Sequence, residues 1–206
     1  AGTGISSGTG SLTLRADGKD ADLVVNNVVS TSGAISLIAD NDVSFSAAGD
    51  VTASGAVTIT ADFDGVPGTD TGEGALTMAN GTLVNAGSGT IDLSSTEDLT
   101  IGGLQTTSTN TGTATTTDAV TITTSGAVLD AGLTHTDVVA NSGSVSIAAA
   151  TGINLDTEIG SLQLVNTTSG NTDIAETDAL EINELTHSGT GTIDVVAGGT
   201  VTVVAG

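Results

Sequence analysis

The sequence predicts an all-β chain wound as a parallel β-helix, a β-solenoid of about eight coils with three short strands each. Three observations predict it. A strand pattern, Gly-x-apolar-polar-apolar, recurs from Gly10 to Gly191, as in "SGAISLIAD" (Ser32–Asp40), "SGAVTITAD" (Ser54–Asp62) and "SGSVSIAA" (Ser142–Ala149). A second apolar-polar-apolar strand follows most copies after about eight or nine residues, and periods of this size mark solenoids. The composition also favours strands and turns over helices: 29 of the 206 residues are glycine, 37% are hydrophobic, and Lys and Arg together number 2. β-Branched residues suit strands, and Gly, Asn and Asp suit turns, whereas the strong helix formers Lys, Arg, Glu and Gln are scarce.

The first strand of each coil is anchored at Gly10, Gly33, Gly55, Gly89, Asp118, Gly143, Gly170 and Gly191, at successive spacings of 23, 22, 34, 29, 25, 27 and 21 residues. Asp118 stands where the other copies have glycine. Gly126 is the alternative anchor there, but it leaves 17 residues to Gly143, and Leu129-Asp130 breaks the alternation. The first inward column reads Leu12, Ile35, Val57, Ile91, Val120, Val145, Thr172, Ile193, and the second reads Leu14, Leu37, Ile59, Leu93, Ile122, Ile147, Ile174, Val195. Between them lie Thr, Ser and Asp. Side chains alternate faces along a strand, so each copy is a buried-exposed-buried strand. Thr172 alone interrupts the two apolar columns.

The second strand reads Leu23/Val25, Val43/Phe45, Leu76/Met78, Leu99/Ile101, Val128, Ile153/Leu155, Leu180/Ile182 and Val201/Val203. A weaker third segment runs through Val28-Val29, Val51, Leu83, Leu104, Val138-Val139, Leu162/Leu164 and Leu185. A β-sandwich also has short strands with regular turns. It gives no reason for the same column to return at every third strand, whereas stacked coils do. Eight coils at about 4.8 Å make a rod about 35–40 Å long.

The glycine before each first strand is expected to supply backbone angles that other residues avoid at a corner, with Asp118 the next most tolerant. The repeat covers residues 1–206 as a single solenoid domain. Two stretches lengthen its coils: an insertion at 62–74 and a Thr-rich loop at 106–117. Neither end shows a polar cap. Both ends are therefore expected to be uncapped edges, open to pairing with further coils.

The formal net charge is −22, from 24 acidic residues against Arg15 and Lys19. Nucleic acid is excluded as a partner, because phosphate recognition needs cations. Anionic membrane surfaces are excluded for the same reason, and no apolar run reaches the length of a membrane span. Cysteine is absent, so neither disulfides nor thiolate chemistry is available.

Runs such as "SGAISLIADNDVSFSAAGDVTASGAVTITAD" (Ser32–Asp62) resemble the degenerate strand repeats of filamentous haemagglutinin-like exoproteins, among them passengers of two-partner secretion systems and autotransporters. The resemblance covers Gly10 to Gly206. It implies a right-handed β-helix, export to the bacterial cell surface, and a role as adhesin, stalk or matrix fibre. It also implies host or neighbouring-cell surface ligands as partners. The family's N-terminal secretion domain has no counterpart in this sequence.

The candidate chemistry lies in "ADFDGVPGTDTGEG" (Ala61–Gly74), where Asp62, Asp64, Asp70 and Glu73 surround the sole proline, Pro67. Asp-x-Asp-Gly is a fragment of many calcium loops, in which oxygen ligands alternate along a tight turn, so these four residues are the candidate calcium ligands. Neither the full EF-hand spacing nor the G-G-x-G-x-D nonapeptide is present. Lesser acidic clusters occur in "DGKDAD" (Asp17–Asp22) and "DND" (Asp40–Asp42). His135 and His187 are expected at related corners, as surface residues. No nucleophile-base-orienter set surrounds either, and an enzyme is not expected. Thr-x-Thr pairs at Thr58/Thr60 and Thr121/Thr123 do not extend into the regular array that ice binding requires.

The function expected is structural: a β-helical stalk or scaffold of a secreted or surface-displayed bacterial adhesin or fibre. The alternatives are a subunit that polymerises end to end as a filament or surface layer, and a calcium-stabilised surface-binding module.

Overall fold

A computed structural model describes residues 4–63, 73–112, 117–132 and 135–204. The described chain is all-β: 21 strands and no helix. Every strand pairing is parallel, and each joins a strand to its counterpart about one turn of chain away. This is the topology of a parallel β-solenoid.

Three axial ladders run through it. The first stacks Leu12, Ile35, Val57, Ile91, Val120 and Val145 in register, with Leu14, Leu37, Ile59, Leu93, Ile122 and Ile147 two residues on. The second stacks Leu23, Val43, Leu76, Leu99, Val128 and Ile153. The third stacks Ile5, Val29, Val51, Val84, Leu104 and Val138. Inward residues of the middle coils are sealed, with Ile59, Ile91, Leu99 and Ile122 at 0% exposure. Each such aliphatic side chain contributes about 1.5–3 kcal/mol by leaving water. In the third ladder the buried residue is Val84, whereas Leu83 points outward.

The predicted columns hold as far as Ile153, then the assignment changes. Val145 pairs with Leu162, and Leu162 with Ile182, so the first ladder continues through Leu162/Leu164. Thr172/Ile174 pair with Ile153/Leu155, and Ile193/Val195 pair with Thr172/Ile174, so both belong to the second ladder. Val201 and Val203 lie over Leu180 and Ile182 on the first. The columns assigned from sequence are thus exchanged beyond Ile153. The cause is a coil of only 17 residues between Val145 and Leu162. Gly160-Ser-Leu-Gln-Leu164 repeats the anchor pattern, and its strand is fused with two others into one 14-residue strand, Ile153–Asn166. Every face of the prism demands the same buried-exposed-buried alternation. The pattern therefore says that a strand exists without saying which face it lies on.

Four of the anchor glycines have a different cause from the one expected. Gly33, Gly55, Gly89 and Gly143 do not have positive φ. What requires glycine is stacking: a Cβ on Gly33 would sit 2.6 Å from the Gly10 carbonyl oxygen, and one on Gly89 would sit 2.2 Å from the Gly55 carbonyl carbon. Corners of successive coils lie backbone on backbone. Gly170, at φ +80°, and Gly191, at φ +153°, combine close stacking with the positive φ expected of the anchors. Asp118 is not left-handed either. Its Oδ1 accepts hydrogen bonds from Ser144 Oγ at 2.5 Å and Gln163 Nε2 at 3.2 Å, tying successive coils together.

Threonine supplies a second corner device. Thr31, Thr106 and Thr124 are buried, and each donates its hydroxyl to a backbone carbonyl of the preceding coil, at Gly10, Gly89 and Glu97 respectively. Each hydroxyl also accepts the amide two residues on, from Gly33, Ser108 and Gly126. Orphan backbone groups at the turns are thereby satisfied without water.

Candidate functional site

Of the four predicted calcium ligands, Asp64 and Asp70 lie outside the described residues. Glu73 is exposed. Asp62 is half-buried with a left-handed backbone, φ 58°, and its amide donates to Asn41 O at 2.9 Å. One of its carboxylate oxygens is buried without a hydrogen-bond partner. The "DND" cluster has a structural role: Asp42 Oδ1 accepts from Ala75 N at 2.9 Å, and Asp40 Oδ2 from Gly18 N at 2.8 Å.

The two histidines do not share a corner. His187 ends a first-ladder strand opposite Asn166, and its Nδ1 lies 3.2 Å from Thr172 Oγ1. Thr172 is fully buried and also receives Asn166 Nδ2 at 3.4 Å. The lone polar break in the apolar columns is thus satisfied within a small polar network.

His135 belongs to another grouping. Asp130 closes the second-ladder strand Val128–Asp130, and Asp137 immediately precedes Val138 of the third ladder. Donor atoms of Asp130, His135 and Asp137 all lie within 4.8 Å of one another. The ends of the cluster are held by backbone. Asp130 Oδ1 accepts from Gly132 N at 2.6 Å. Asp137 donates its amide to Asp156 O at 2.8 Å, and its carbonyl accepts from Leu104 N at 2.7 Å. Its carboxylate Oδ2 accepts from Asp156 N at 2.7 Å. Asp137 is therefore clamped between two neighbouring coils and has 0% exposure.

That leaves Oδ1 of Asp137 free to face His135 Nε2 at 3.2 Å. The approach is not a hydrogen bond: Asp137 Oδ1 and both ring nitrogens of His135 are buried and unpartnered. Burial pushes the Asp137 carboxyl up to about 8, against the lowering effect of the Asp156 amide, and the nearby carboxylates of Asp130 and Asp156 push it further up. The sequence carries this site as Asp-x4-His-x-Asp in "DAGLTHTD". The missing signal was that Asp137 is buried and held by Asp156 of the neighbouring coil.

Together these features define a parallel β-solenoid whose described residues include a polar, inward-facing corner at Asp130, His135 and Asp137. Comparison with protein-family models, with curated proteins and with solved structures returned no match.

Proposed function

We propose that the chain is a structural β-solenoid segment of a secreted or surface-displayed bacterial protein, serving as stalk or scaffold of an adhesin or extracellular fibre. The observation that carries this reading is the continuity of the three apolar ladders from coil to coil, with outward positions given over to Thr, Ser and Asp. Such a body is stiff along its axis and soluble on its flanks, which suits display at a distance from a surface. Intact-mass measurement and electron microscopy of native material test it. A rod-like segment within a much larger polypeptide is the expected result, and a native mass near 19.7 kDa would overturn the stalk reading.

A second reading, end-to-end assembly, is favoured by the last described coil. Ile193 is 49% and Val203 76% exposed, although both stand in inward columns. They form a ready surface for a further coil, whether of the same chain or of another copy. Continuous fibres of 206-residue subunits would establish this reading in place of the first.

The calcium-stabilised module rests on the unpartnered buried oxygen of Asp62. It requires calcium to raise the melting temperature of the wild type and to leave a protein carrying Asp62→Ala and Asp64→Ala unchanged.

A further inference from the structure

We infer that Asp130, His135 and Asp137 form a binding site for a divalent transition cation of the zinc class. The argument starts from what is left unsatisfied. A buried carboxylate oxygen and a buried imidazole nitrogen face each other at 3.2 Å without forming a hydrogen bond. Leaving both unpaired is costly in a protein interior. A cation between them satisfies both at once.

The geometry fits such an ion. Zinc bonds to nitrogen and carboxylate oxygen run about 2.0–2.2 Å, so adjacent ligands of a tetrahedral ion stand about 3.3–3.5 Å apart. The 3.2 Å between His135 Nε2 and Asp137 Oδ1 is already that edge. Asp130, within 4.8 Å of both, completes a face by a small rotation of its carboxylate. One nitrogen and two oxygens form a donor set for the zinc class. Calcium and magnesium, as hard cations, prefer all-oxygen shells. Water completes the coordination, as in sites with three protein ligands.

The two carboxylates are held in place as well. Asp137 Oδ2 is fixed by the Asp156 amide and Asp130 Oδ1 by the Gly132 amide, which orients the remaining oxygens. A bound ion would staple the corner between the second and third ladders. The site is independent of the acidic insertion at 62–74 and of the scaffold reading.

The test uses the whole chain, freed of metal by chelation and titrated with zinc chloride by calorimetry in excess magnesium, which occupies weak acidic sites. One equivalent per chain is expected. His135→Ala and Asp137→Asn should each weaken binding by at least about 100-fold. Since either variant could misfold, the wild type is also followed by nitrogen-15 NMR of its two imidazoles. Zinc should shift the His135 ring resonances and leave those of His187 in place. Absence of a stoichiometric site, undiminished binding by a folded His135→Ala protein, or zinc binding that leaves His135 unshifted would each overturn the assignment. In that case the contact is a His135–Asp137 ion pair alone.

Discussion

Gly89 and Gly8 differ only in what stands over them. A Cβ at Gly89 would collide with the Gly55 backbone at 2.2 Å, whereas one at Gly8 meets nothing within 4 Å, and neither residue has positive φ. Gly89→Ala should therefore destabilise by well over about 1 kcal/mol, while Gly8→Ala should be neutral or stabilising by up to about 1 kcal/mol. Paired urea melts check this. Glu176 sets a pH dependence. Its carboxyl is buried, which raises it above the ordinary 4.5 despite hydrogen bonds from Thr157 Oγ1 at 2.8 Å and from the Asp178 and Ile159 amides; the Asp178 side chain raises it further. A carboxyl raised by folding contributes its stability below the unfolded value and loses it as pH rises through the folded value. The melting temperature should therefore fall as pH rises from about 4.5, and Glu176→Gln should flatten that fall. Asp137, raised in the same direction, leaves a residual slope.

Among the elements, the strand Ile153–Asn166 carries parts of all three ladders and fixes the phase of everything after it. Inserting one alanine between Leu155 and Asp156 reverses the facing of the residues on one side of the insertion. The expected loss is that of two core side chains, about 3–6 kcal/mol. The same insertion after exposed Thr109, in the lengthened Thr-rich coil, should cost less than about 1 kcal/mol. Denaturant midpoints distinguish the two. The same strand explains where the sequence was legible and where it was not. Up to Ile153, widely spaced anchors, all glycine but Asp118, mark each coil, and the apolar columns fall into line in the sequence. Beyond it, Gly160 follows Gly143 by 17 residues, a step that looks too short for a coil until three strands are seen to fuse. The site at Asp130, His135 and Asp137 was illegible for a related reason: its aspartates look like solvated turn residues until a neighbouring coil buries one of them.

At the scale of the whole molecule, charge and ends set behaviour. Arg15 and Lys19 both lie in the first coil: Arg15 is 3.3 Å from Asp17 and stacks 4.5 Å over Phe63, and Lys19 is 3.9 Å from Asp20. Further along, like charges are stacked in register, as with Asp173 beside Asp194. Raising sodium chloride from about 0.01 to 0.2 M should therefore raise the melting temperature by screening this repulsion. Hydrogen exchange should be slowest through the sealed middle ladders and fastest at Ile193–Val203, because each coil is stabilised by its neighbours. If copies stack end to end, protection at Ile193–Val203 rises with protein concentration. Alternation of apolar and polar residues, with abundant glycine and threonine and almost no cations, determined by itself that the chain makes short parallel strands wound into coils. Local pattern suffices for that, because each strand needs one buried face. Which ladder each strand joins, why the corner glycines are glycines, and which polar residues meet inside were decided only in the folded stack. These depend on contacts between coils, and a single coil's sequence does not contain its neighbour.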